Sequence, residues 1–256
     1  MQRITLCGAL LAACLCAPAL AQDVKARDPM VDSYRAAQAF LLKGQHDNGG
    51  FGQIPGQPPG EVGITGLVIR GLAGAPEEFQ AAAKPAIEKA IGYLLKHQQK
   101  DGSFTQERSG LSTYRTAIAI NALVAVDRKR YAAEIKKAAD WLKGDQFDAE
   151  EGVGEDNPHF GGFGYDKGGE KPDADMSNTL MAIGALRDAG ISPDDPVFKR
   201  ALTFLSRCQN SSETNPGVGK LKPKDDGGFI YDPGLSRNKS GAVTNADGTM
   251  SFESYA

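Results

Sequence analysis

Cysteine is scarce in this 256-residue chain, and most of it lies where it cannot crosslink a fold. Cys7, Cys14 and Cys16 crowd the N-terminus, which leaves Cys208 alone in the remainder. A chain beginning at Gln22 therefore has no internal disulfide and must draw its stability from a core. Cys208 falls on an apolar helical stretch, where a packed, inert thiol is expected rather than a nucleophile. Concentrated basic charge is also missing. Lys and Arg number 29 against 32 Asp and Glu, a net charge of −3, and no Lys/Arg block interrupts the mixture, which argues against nucleic acid as a partner. Outside the N-terminus no apolar run is long enough to span a bilayer. The length suits one large domain with a real core.

The N-terminus reads as a targeting segment over residues 1–21. Arg3 supplies a positive start, Leu6 to Ala17 an apolar stretch, and Ala19-Leu20-Ala21 a small-x-small cleavage site before Gln22. The expected destination is the periplasm or the medium. Leu11-Ala12-Ala13-Cys14 also resembles the lipobox of bacterial lipoproteins, so membrane association is expected only if Cys14 is lipidated. Residues 22–30 read as a polar linker, and 31–256 as the folded domain.

That domain is a repeat. Set on Gln45, Gln98, Gln146 and Gln209, four copies align. An aromatic and a leucine precede each glutamine: Phe40-Leu41, Tyr93-Leu94, Trp141-Leu142 and Phe204-Leu205. An alanine stands eight residues before it: Ala37, Ala90, Ala138 and Ala201. A glycine turn follows and ends in Phe51, Phe104, Phe163 or Phe229, and these phenylalanines are 53, 59 and 66 residues apart. A period of this size denotes a stacked array of one supersecondary unit. Each unit opens with an amphipathic helix, as over Ala83 to Gln98, where Ile87, Ala90, Ile91, Leu94 and Leu95 recur at three and four. The second helix is different. Aligned on Thr65, Thr116 and Thr179, it is apolar nearly all round and rich in Ala and Gly, which predicts burial on every side and close approach of neighbours. Half-exposed helices outside and buried helices inside give an all-α fold, an α/α toroid or an arc of one.

The repeat resembles the QW repeat of the terpenoid cyclases and protein prenyltransferases, with Phe where that repeat usually has Trp. The resemblance covers essentially all of the chain after residue 30. It implies outer and inner helices around a mostly apolar cavity, and a structural role for Gln45, Gln98, Gln146, Gln209 and their phenylalanines. Class II cyclases carry Asp-x-Asp-Asp-Thr, whose middle aspartate protonates the substrate alkene. Asp173-Ala174-Asp175 matches its first three positions, so Asp173 and Asp175 are the candidate catalytic residues and Asp175 would inherit the acid's role. Met176 and Ser177 depart from the pattern. Register supplies a structural alternative, because Asp175 falls level with Ser112 and Glu61 at the start of an inner helix, where such residues cap.

The prenyltransferase branch implies a zinc site of Asp, Cys and His. No Cys stands near Asp173, and His46, His97 and His159 lie near outer-helix ends and their loops, so no metal and no cofactor are expected. Asp145, Asp148, Glu150, Glu151, Glu155 and Asp156 make one loop acidic but lack the ligand spacing of a known calcium loop. The long loop from Gln209 to Asp226 is expected to be mobile or to cover one end of the array. Register places Ser254 level with Thr65, so Gly248 to Ala256 should open a fourth inner helix. Three complete hairpins and part of a fourth then predict a truncated array, or an open arc covered by another chain.

The expected function is an exported repeat protein without an intact catalytic motif that binds an apolar, isoprenoid- or lipid-like ligand or a partner protein. A proton-initiated cyclase using Asp175 is the alternative, set against the few aromatics on the inner helices, since cyclases stabilise carbocations with aromatic faces. A polysaccharide-active α/α barrel is a second alternative, by fold analogy.

Overall fold

The computed structural model describes residues 28–106, 110–166, 172–233 and 242–254. The targeting segment, with Cys7, Cys14 and Cys16, lies outside these residues, as do Lys171, Tyr255 and Ala256.

The first helix, α1, spans Pro29–Lys43. Asp28 caps it by accepting from the Met30 N–H at 2.9 Å, and Pro29 fixes the first helical φ. The helix thus starts inside the stretch expected to be linker. Six more helices follow: α2 (Val62–Ala73), α3 (Glu77–Lys96), α4 (Ser112–Asp127), α5 (Ala132–Lys143), α6 (Met176–Ala189) and α7 (Pro196–Cys208). Helix α3 begins six residues before the expected Ala83, although Pro85 inside it lacks the N–H that would bond back to Ala81. Phe79 anchors the extra turns, being buried with its ring 5.0 Å from that of Tyr34.

The inner helices form a row in which α4 packs between α2 and α6, and each packs on the outer helix that follows it. In α4 every residue from Arg115 to Leu123 is buried. The expectation of burial on every side fails for the other two. Ile64 and Leu67 of α2 and Leu180 of α6 are 41%, 44% and 50% exposed, because among the described residues these helices end the row and each has one face without a neighbouring helix. No helix among the described residues is long and apolar enough to cross a membrane.

Three of the four repeat landmarks are fasteners. The Gln45 amide donates to its own turn at Gly49 (3.0 Å) and to the Ala86 carbonyl of α3 (2.8 Å). Gln98 bridges Gly102 (3.3 Å) to Glu134 of α5 (3.0 Å), and Gln146 bridges Gly161 (2.8 Å) to Val197 of α7 (2.9 Å). The phenylalanine ending each turn donates its N–H to the aligned threonine: Phe51 to Thr65 at 2.8 Å, Phe104 to Thr116 at 2.9 Å and Phe163 to Thr179 at 3.0 Å. So the turn is tied inward by threonine and sideways by glutamine, with no buried donor wasted.

The fourth copy departs from this pattern. Gln209 accepts from the Thr214 hydroxyl at 2.7 Å, and its amide nitrogen bridges to no helix among the described residues. Phe229 is 40% exposed where Phe51, Phe104 and Phe163 are at most 3%. Nor do residues 248–254 open a helix. Strands β1 (Ala242–Thr244) and β2 (Met250–Phe252) pair antiparallel around a turn at Gly248. Ser254 lies against Gly228 as Gly60 lies against Gly50 and Ala174 against Gly162, so it is level with those residues, before the helix start, and not with Thr65. The Gln209 to Asp226 loop joins this hairpin through Lys222 N–H to Met250 C=O (2.9 Å) and Asn210 to Phe252 C=O (2.9 Å). Phe252 is thereby buried against Ala174, Phe204, Cys208 and Ile230. The Cys208 thiol is fully buried, and burial first, then the charges of Asp232 and Asp175, push its pKa well above the usual range.

Candidate functional site

Chemistry-bearing side chains gather at the N-terminal ends of the three inner helices. The unpaired N–H groups there favour negative charge. Glu61 caps α2, accepting from the Ile64 N–H at 2.6 Å, and its other oxygen accepts from Arg115 Nε at 2.6 Å. Arg115 is fully buried. This pair ties α2 to α4 across 54 residues of sequence. Nothing local announces it beyond a charge at the start of an otherwise apolar helix.

Helix α4 has no side-chain cap. Ser112 is its first residue and Leu111 the residue before it, so the expected alignment of Ser112 with two capping carboxylates holds in sequence but not in function. The Ser112 hydroxyl instead donates to Asp166, and Thr113 donates to Asp145. Asp145 is therefore bound within the fold. Asp148 likewise caps a 3-10 turn over Ala149–Glu151 and pairs with Arg200 at 3.0 Å. Two members of the acidic loop thus have structural partners, and no group of three or more His, Cys, Asp or Glu among the described residues is arranged to hold a metal ion.

Asp175 caps α6. One oxygen accepts from the Asn178 N–H at 2.8 Å and the other from the Asn178 side-chain amide at 2.7 Å, and the side chain is fully buried. Its own N–H bonds to Phe163 C=O at 3.0 Å, as that of Glu61 bonds to Phe51 at 2.8 Å. Asp173 stands apart, half-buried, with its carboxylate across Gly164. The two candidate carboxylates therefore occupy different surroundings. Beside Asp175 lie Tyr231 and Tyr165, their hydroxyls 3.1 Å apart. Their meeting was not foreseeable from the aspartate motif, because 66 residues of sequence separate the two tyrosines.

The pKa of Tyr231 is raised well above its ordinary 10.0, by burial first, then by the Tyr165 hydroxyl and by Asp175. A raised folded-state value means that this stabilising contribution is full below pH 10.0 and is lost as the pH rises towards the folded value. Accordingly, spectrophotometric titration should show the Tyr231 signal, identified by loss in Tyr231→Phe, ionising at higher pH than an ordinary tyrosine. Ionisation of that signal near the ordinary value in folded protein would contradict the burial described.

The cavities lie elsewhere. One cleft of about 580 Å³ is lined by Asn48, Pro58, Tyr93, His97 and Gln106, and another of about the same size by α3 and the end of α4. An apolar groove of about 470 Å³ runs between α6 and α7, lined by Leu180, Ile183, Gly184, Ile191, Pro193 and Phe198, with Arg187 at its edge. Neither Asp173 nor Asp175 lines any of the three.

Comparison with known proteins places this geometry among its relatives. Residues 57–218 match the family model described as the squalene-hopene cyclase C-terminal domain. The chain is 25% identical to the drimenyl diphosphate synthase of Streptomyces showdoensis over 179 residues, which are 68% of this chain and 30% of that protein. It is 27% identical to the squalene–hopene cyclase of Zymomonas mobilis over 222 residues, 79% of this chain and 32% of that one. The chain thus spans about a third of the length of these relatives.

Proposed function

This chain belongs to the squalene-hopene cyclase C-terminal domain family, and on that premise we propose that it is an exported binding scaffold, holding an apolar ligand or another protein chain rather than initiating cyclisation. One observation carries the reading: both oxygens of Asp175 are engaged inside the first turn of α6 and no described cavity reaches them. An acid that protonates an alkene must present a protonated carboxyl to its substrate. Both carboxylate oxygens of Asp175 already accept N–H donors of Asn178, so they are turned into the start of their own helix rather than towards a substrate. An apolar groove lies instead between α6 and α7, where Leu180, Ile183 and Phe198 suit an isoprenoid- or lipid-like chain. Export rests on Arg3, the apolar stretch and Ala19-Leu20-Ala21.

The second reading, a proton-initiated cyclase with Asp175 as acid, is favoured by the activities named for the two relatives. One experiment separates them. Native mass spectrometry with isoprenoids and oligosaccharides side by side should show isoprenoid retention without conversion. Asp175→Asn should leave the melting temperature nearly unchanged, while Asp175→Ala should lose about 1 kcal/mol of stability. A cyclic product made by the parent protein and lost in a stably folded Asp175→Asn would overturn the scaffold reading in favour of the cyclase.

A further inference from the structure

We propose that the cleft between the first two glycine turns binds a neutral saccharide, held by the Tyr93 hydroxyl, the His97 ring and the spare amides around them. This site is separate from the groove of α6 and α7 and does not rest on the reading given to that groove.

The cleft holds about 580 Å³, within the roughly 300–1,000 Å³ of small-molecule sites. One wall is the loop from Asn48 to Pro59, and the other is the end of α3 with the turn that follows it. The polar side chains of the cleft divide into two sets. Asn48 donates to Pro59 C=O at 2.6 Å and accepts from the Gly50 N–H at 3.0 Å. Gln106 donates to Gly60 C=O at 3.0 Å and accepts from the Val62 N–H at 3.3 Å. These bonds fix the walls before any ligand arrives, which lowers the ordering cost of binding. The second set fixes nothing. The Gln57 amide and the Thr105 hydroxyl bond to no described residue. Gln99 uses only Nε2, on the His97 carbonyl at 3.0 Å, so its Oε1 is spare.

Tyr93 carries the argument furthest. It lines the cleft at 5% exposure, and its hydroxyl, at the Gly60 end of the ring, bonds to no described residue. A buried hydroxyl without a partner is unfavourable, and it needs a reason. Packing does not supply one. At the third turn Phe204 lies over Gly162 as Tyr93 lies over Gly50, an added Cβ meeting the rings at 2.8 and 2.9 Å, and Phe204 has no hydroxyl. Burial first, then the charge of Glu61, raises the Tyr93 pKa above its ordinary 10.0, so the group stays protonated and can donate. His97 supplies an acceptor beside it. The two rings are tilted with centroids 4.4 Å apart, and His97 Nδ1 donates to the Tyr93 carbonyl at 2.9 Å, since a carbonyl only accepts. In the neutral ring Nε2 then carries the lone pair, and it bonds to no described residue. Nor does the repeat call for an imidazole here, because the positions level with His97 are Gly44, Asp145 and Cys208.

The cleft therefore offers a donor, bare acceptors, and groups that do both, with Pro58 and Pro59 as an apolar flank. None of its described lining residues is Asp, Glu, Lys or Arg. A phosphate or carboxylate ligand would meet those acceptors without a cation to hold it. An isoprenoid would cover the Tyr93 hydroxyl and the His97 nitrogen and leave both unpaired. Sugar hydroxyls donate and accept alike, so they satisfy every spare group, and the C–H face of the ring packs on proline. Glycoside hydrolysis commonly uses a pair of carboxylates, which the described lining residues do not provide, so the cleft holds its sugar without cleaving it.

The test is isothermal titration calorimetry of the purified chain with maltotriose, cellotriose and triacetylchitotriose, beside farnesol and a deca-proline peptide. At least one of the three sugars should bind the parent with a millimolar or tighter dissociation constant. Tyr93→Phe and Gln57→Ala should each weaken that binding about tenfold, the effect of one lost hydrogen bond. Both variants should melt at or above the parent's temperature, since neither removed group has a partner in the fold. In isotope-labelled protein the His97 Nε2 resonance should shift as sugar is added. Farnesol binding should be the same in the parent and both variants, so failure of the apolar-groove reading would show as absent farnesol binding with the sugar result intact. A parent that binds none of the three sugars, sugar binding indifferent to both substitutions, or binding of the deca-proline peptide alone would each overturn the proposal.

Discussion

Gly161→Ala should destabilise the protein by more than about 4 kcal/mol, whereas Gly227→Ala, the same substitution at the equivalent position of the fourth turn, should cost only about 1–2 kcal/mol. Both glycines are left-handed, with φ of 84° and 78°, so both alanines meet the same backbone penalty. Space separates them. At position 161 the new methyl would sit 1.9 Å from the carbonyl oxygen of Arg200 and 2.5 Å from its carbonyl carbon. That carbonyl cannot retreat cheaply. It is part of α7, whose first turn is tied to Gln146 at 2.9 Å and whose Val197, Ala201 and Phe204 are packed in the core. At position 227 nothing lies within 4 Å. Urea unfolding of the two variants against the parent measures the difference. Equal losses would mean that α7 does not press on its turn as described, and that the fourth turn is not an empty copy of the third.

Arg115→Ala should lose about 3–5 kcal/mol, because it leaves the Glu61 carboxylate buried without the cation it faces. The Arg115 side chain is fully inaccessible and that of Glu61 is 9% accessible, so solvent cannot replace the lost partner. Removing both charges should recover much of the loss. Glu61→Gln keeps an oxygen to cap α2, Arg115→Met keeps most of the volume between α2 and α4, and only together do they leave no charge without its partner. A double-mutant cycle read by urea unfolding should then give a coupling of about 2–3 kcal/mol. Strict additivity would show that the two side chains act independently, and that α2 and α4 are joined by apolar packing such as Gly66 against Ile118 rather than by the ion pair.

Both effects arise from how units meet, and that is where sequence and structure part. Spacing alone determined the register of the first three copies, the alternation of amphipathic outer and apolar inner helices, and the all-α class, because side-chain periodicity and glycine turns are short-range properties of the chain. It also placed Glu61 and Asp175 at inner-helix starts, since capping needs only the residue and the helix that follows it. What it could not determine is whether a copy has a neighbour. Gln209 and Phe229 read the same as Gln146 and Phe163, yet the first pair meets no arriving helix among the described residues and the second is locked by α7. Leu67 and Ile118 are equally apolar at one register position, and only the place of their helices in the row leaves the first 44% exposed and the second 1%. Ser254 could be counted level with Thr65 because loop lengths vary freely, and only its contact with Gly228 set it level with Gly60 and Ala174. The surroundings of Asp175 were equally out of reach, since Tyr231 comes to it from a loop beyond α7. Burial and pairing are properties of the packed array, and residues more than fifty positions apart share a site only once the helices between them have stacked.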